Sequence, residues 1–90
     1  MFLHLGGDVV IPLHDVIAVF DIDATTVSKD TRDFLRVAEE EGFIKTISSE
    51  LPKSFIITEK EKKSRIYLSP ISSVTLMKRA NMFGQAGEGL

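Results

Sequence analysis

The chain contains no cysteine. That absence excludes a disulfide framework and any thiolate metal site, and it is compatible with a reducing cytoplasm. Long apolar runs are missing too: no stretch approaches the roughly 20 residues that a membrane-spanning helix needs. Met1-Phe-Leu-His4 lacks a basic region leading into a hydrophobic segment and a cleavage site. Neither secretion nor membrane insertion is therefore expected, and the expected compartment is the cytoplasm. Histidine is scarce, and His4 and His14 carry no recognised ligand spacing, so no metal site is expected. With only 90 residues, one domain is admitted, with little room for a core that also encloses a deep cavity. No cofactor and no small-molecule substrate are expected.

What is present has the balance of a folded globular protein, 43% hydrophobic and 27% charged. The net charge of −2 conceals a division along the chain. Residues 1–43 hold nine acidic against three basic side chains, and residues 44–90 hold eight basic against four acidic. A basic face built from the second half and an acidic one from the first are the consequence.

Phe2-Leu-His-Leu5 and Asp8-Val-Val-Ile11 flank Gly6-Gly7, a hairpin pattern in which glycine supplies positive φ angles to a short turn. Val16–Ile22 is rich in β-branched and aromatic residues and reads as a third strand covered on both faces. Ala24–Ser28 is small and hydroxylated, which fits a loop into a helix capped near Thr26 or Ser28 and running from about Lys29 to Glu41. On it Phe34, Leu35, Val37 and Ala38, with Val27 before them, form an apolar stripe. Gly42 fits the left-handed position that ends a helix. Phe43–Ile47 is a short, weakly patterned strand, followed by a loop through Pro52. Lys53–Thr58 and Arg65–Ser69 read as a second hairpin joined by the solvated connection Glu59–Ser64. Ser69-Pro70 pairs a capping hydroxyl with proline at the first position of a helix ending near Ala80, with Ile71, Val74, Leu76 and Met77 inward. The expected fold is α/β of the α+β kind: one domain over residues 1–80 with about six short strands, two hairpins and two helices, then a flexible tail over residues 81–90.

Asp21-Ile-Asp23-Ala-Thr25 closes a hydrophobic strand in the form Asp-x-Asp-x-Thr, similar to the first motif of haloacid-dehalogenase phosphatases. There Asp21 would attack phosphorus and Asp23 would move a proton beside Mg²⁺. Such enzymes also need a lysine and a further acidic pair on a much larger sheet, and no Asp-Asp follows in this chain. Two solvated strand-end acids are the preferred account, and no catalytic residue is assigned. The run Glu59–Lys63 alternates in sign before Lys62-Lys63-Ser-Arg65, which suits either a solvated loop or phosphate contact.

Four segments together resemble a known family: His4-Leu-Gly-Gly-Asp8, Val16-Ile-Ala-Val-Phe20, Pro52-Lys-Ser-Phe-Ile-Ile-Thr58 and Tyr67-Leu-Ser-Pro-Ile-Ser-Ser-Val-Thr-Leu76. Over about residues 2–80 the chain is similar to the RemA/RemB family of bacterial extracellular-matrix regulators, nearer its RemB branch. The resemblance implies a small subunit that assembles into a homo-oligomeric ring and, in the RemA branch, binds DNA to activate matrix-production genes. It also exposes departures. Adjacent arginines of the RemA branch fall here at about Glu50 and Leu51, and an arginine of its first loop falls near Asp15. The candidate DNA-binding residues are therefore Lys53, Lys62, Lys63, Arg65, Lys78 and Arg79. The expected function is a DNA-binding transcriptional regulator of biofilm matrix genes acting as a homo-oligomer on double-stranded DNA. The alternative is an oligomeric scaffold that binds a protein partner through its acidic half without touching DNA. Basic residues clustered on one rim favour the first, and dispersed ones the second.

Overall fold

The structure, a computed structural model, describes the backbone of residues 1–88 and the side chains of residues 1–80. Its order is β1 (Phe2–Gly6), β2 (Val9–Pro12), a 3-10 turn (Leu13–Asp15), β3 (Val16–Asp21), α1 (Ile22–Thr25), α2 (Lys29–Glu40), β4 (Ile44–Thr46), β5 (Ser54–Lys60), β6 (Lys63–Ser69) and α3 (Ser73–Glu88). β1 and β2 form an antiparallel hairpin, and a second sheet has the order β3-β5-β6-β4. Within it β4 runs parallel to β6 while the other pairs are antiparallel. The expected α+β class, six strands and two hairpins are all present.

Strand alternation divides β5 and β6 between two apolar layers. Ile56 and Tyr67 lie opposite each other and join Leu3, Leu5 and Ile11 of the first hairpin and Leu76 of α3. Phe55 and Ile66 turn the other way, towards Ala38 and Leu35 of α2, with Phe20 stacked on Phe55 at 4.9 Å. The four-stranded sheet is thus the middle layer of three.

Ser69 is fully buried where these layers meet. Its Oγ donates to the Leu5 carbonyl at 2.6 Å and accepts from the Ile71 amide at 3.0 Å. That occupation explains why Ser69 does not cap α3: Ser72 does, accepting from the Thr75 amide at 3.2 Å. Ser69→Ala leaves a buried carbonyl and amide unpartnered, so a loss of about 2 kcal/mol is expected in urea unfolding. An unchanged midpoint would show that the corner does not depend on this hydroxyl.

Several expectations need correction. β3 is an edge strand without a single buried residue, and Ile17 is 60% exposed, so it is not covered on both faces. The apolar stripe is only partly inward: Ala38 is buried, but Phe34 and Val37 are 46% and 47% exposed and Val27 lies outside α2 altogether. The loop after β3 contains the extra one-turn helix α1, because the Asp21 side chain accepts from the Ala24 amide at 2.8 Å and caps it. α3 continues past Ala80 to Glu88, through residues that include no proline; the expected tail, residues 81–90, lies outside the described side chains. The β5–β6 connection is a two-residue turn, with the strands extending to Lys60 and from Lys63. Glu61 and Lys62 take it at φ of 53° and 67°, the left-handed region that non-glycine residues enter at a cost.

Candidate nucleic-acid interface

The extended hairpin decides where the charges go. Lys60 pairs with Lys63, Thr58 with Arg65 and Ile56 with Tyr67. Because a strand returns to the same face every second residue, Lys60, Lys63 and Arg65 share the face that carries Ile56 and Tyr67 further in. The sheet face passes from core to a cluster of cations as it leaves the cover of the first hairpin. Lys62 stands at the turn beside them, and all four are exposed. None forms an ion pair among the described residues, in which the ion pairs are His14–Asp15, Lys29–Asp33, Arg36–Asp33 and Arg36–Glu40. The cations of α2 are thus partly neutralised by its own acids, while those of the hairpin, interleaved with the exposed Glu59 and Glu61, make no ion pair among the described residues.

The expected DNA-binding residues are only partly brought together. Lys62, Lys63 and Arg65 belong to this end of the sheet, joined by Lys60. Lys53 precedes β5 at its other end, roughly 23 Å away at the usual rise of an extended strand, and its amide is held by the Ser69 carbonyl at 2.8 Å. Lys78 and Arg79 lie on α3, where the Arg79 guanidinium donates to the His4 carbonyl at 3.1 Å and ties the helix to β1. Arg79 therefore has a structural task, and α3 does not end at these residues as expected. Lys60 lies beyond the strand expected from sequence, which ends at Thr58, because β5 continues to Lys60. The signal available was the continuing i, i+2 relation of Thr58 to Lys60.

A concavity of about 310 Å3 lies between β2 and this hairpin, lined among others by Lys60, Lys63, Arg65, Tyr67 and Asp15. Asp15, near which the resemblance to the RemA branch places an arginine, is only 8% exposed. Glu50 and Leu51 are exposed in the loop before β5, at the end away from the cluster. A second, larger concavity of about 650 Å3 opens between α2 and the other sheet face. Phe34, Val37 and Phe43 line it, each nearly half exposed, with Ile57 and Ile66 beneath.

Asp21, the would-be nucleophile, is the cap of α1, and Thr25 donates its hydroxyl to the Asp21 carbonyl. No group of three or more potential metal-ligating side chains occurs among the described residues. Asp21→Ala is expected to lower stability by about 1 kcal/mol, and Asp21→Asn, which keeps the cap, by much less. Neither change should alter phosphate-ester hydrolysis with Mg²⁺. Turnover lost in Asp21→Asn would restore the phosphatase interpretation. No helix of the described residues is long and apolar enough to cross a membrane.

Residues 2–80 match the family model described as RemA-like: Extracellular matrix regulatory protein A-like. Extracellular matrix regulatory protein B of Bacillus subtilis (strain 168) is 35% identical over 80 residues, covering 89% of this chain and 90% of that protein.

Proposed function

Since this chain belongs to the RemA-like family of extracellular matrix regulatory proteins, we propose that it is a DNA-binding transcriptional regulator of biofilm matrix genes acting as a homo-oligomer, without catalytic activity. The observation that carries the DNA contact is the group of cations Lys60, Lys62, Lys63 and Arg65, without ion pairs among the described residues, at one end of a two-stranded ribbon. A ribbon of this kind is narrow enough for the major groove, and lysine and arginine along it release counterions from phosphates. Four cations in one subunit give weak binding at physiological salt, so repetition of the subunit supplies the avidity. The half-exposed Phe34, Val37 and Phe43 support assembly, since a monomer of this size gains by covering them.

Anisotropy of a labelled duplex across a salt series tests this. Binding that weakens steeply with salt and requires the assembled state is expected. The scaffold alternative draws on Lys53, Lys78 and Arg79, which stand apart from the cluster. An assembled protein with no affinity for duplexes at low salt would transfer the function to it.

A further inference from the structure

We propose that the concavity between β2 and the β5–β6 hairpin binds a nucleoside monophosphate whose base carries an exocyclic amine. Its volume of about 310 Å3 is at the lower end of small-ligand sites, which span roughly 300–1,000 Å3, and it suits one nucleotide. Lys60, Lys63 and Arg65 line it without ion-pair partners among the described residues and outnumber the carboxylates of Asp15 and Glu61 in the same lining, which leaves room for an anionic group.

Asp15 makes a different demand in the same space. Its side chain is 10% exposed, and its partner is the Nε2 of His14 at 3.2 Å, on a side chain 85% exposed to water. A carboxylate so far withdrawn from water is costly unless it accepts from well-placed donors. Inorganic phosphate would satisfy the cations but be repelled by Asp15. A ligand bearing a phosphate at one end and an N–H donor at the other meets both. In the same lining Pro12 is half-buried, and the buried Ile11 and Tyr67 present only their edges as apolar surface beside a ring. The ligand is bound and not turned over, so no bond is made or broken.

This inference does not rest on DNA binding, although Lys60, Lys63 and Arg65 serve both. Lys62 is outside the concavity. Lys62→Ala should therefore weaken duplex binding and leave nucleotide binding unchanged, which separates failure of one proposal from failure of the other.

The test is calorimetric titration of the full chain with CMP, UMP, cytidine and orthophosphate. CMP and UMP differ chiefly in an amine against a carbonyl at one ring position. CMP is expected to bind about tenfold more tightly than UMP, because Asp15 accepts from the amine and repels the carbonyl. Cytidine and orthophosphate should each bind more weakly than CMP. Asp15→Asn should erase the CMP preference, since an amide both donates and accepts. Arg65→Ala and Lys63→Ala should each weaken CMP about tenfold and leave cytidine unaffected. Equal affinity for CMP and UMP, a preference that survives Asp15→Asn, or no heat at millimolar CMP would overturn the proposal. Oligo(dC) binding far more tightly than CMP with the same Asp15 dependence would assign the concavity to a strand and overturn the free nucleotide.

Discussion

Phe34→Asp combined with Val37→Asp is expected to give a folded monomer in light scattering at concentrations where the unaltered chain is multimeric. Both side chains line the concavity between α2 and the sheet, and each is nearly half exposed in the single subunit. Complete burial of such a side chain contributes roughly 1.5–3 kcal/mol, of which about half is still available to a contact between copies. Aspartate removes that gain and adds the penalty of an unpaired charge, several kcal/mol if fully desolvated. Asp30 and Asp33 already stand at the same rim, so the added acids also repel. Each subunit contact should weaken by at least about a hundredfold. The fold should survive, because α2 is anchored to the sheet through Ala38 and Leu35. Circular dichroism checks that point. A double variant that remains folded and keeps its multimeric mass would remove this face from the subunit contact.

The same helix shows what a sequence can and cannot reveal. Its limits are legible in position, with Ser28 at the entry, although its hydroxyl makes no capping hydrogen bond, and Gly42 just past the end at φ 79°, because terminator chemistry is local. Its periodicity places Phe34, Leu35, Val37 and Ala38 on neighbouring positions but says nothing about how much sheet lies beneath them. A helix stripe wider than the sheet it covers leaves a remainder exposed, and that remainder is the proposed contact with another copy. β3 fails in the same manner. A continuous apolar run usually means cover on both faces, yet strand order puts it at an edge, and strand order depends on pairings 30 or more residues away in sequence, such as Val19 with Ile56. The candidate site was legible in part for a related reason. Charge counting identifies a basic half, but only the register of β5 against β6 brings Lys60, Lys63 and Arg65 to one end and leaves Lys53 at the other.

Lys62 should show stability and DNA binding changing in opposite directions. It occupies the second position of the hairpin turn at φ 67°, where a side chain pays for a left-handed backbone and glycine does not. Lys62→Gly is expected to raise stability by about 0.5–1 kcal/mol while removing one cation from the ribbon. Adding Lys63→Ala and Arg65→Ala removes two more, from exposed positions where little stability depends on them. On long duplexes each lost phosphate contact lowers the salt slope by about 0.9 per engaged subunit, and the affinity lost should be similar for unrelated sequences. Repeated around an assembly, the triple variant should fall to undetectable binding at physiological salt while remaining assembled and at least as stable as the unaltered chain. Lys53→Ala and Lys78→Ala are the comparison, and small effects are expected from their positions away from the ribbon. Arg79→Ala should instead lower the thermal midpoint, because its bond to the His4 carbonyl ties α3 to β1. If the triple variant keeps full affinity and slope in the assembled state while Lys53→Ala loses them, DNA lies against the opposite end of the sheet and the ribbon is free for another partner.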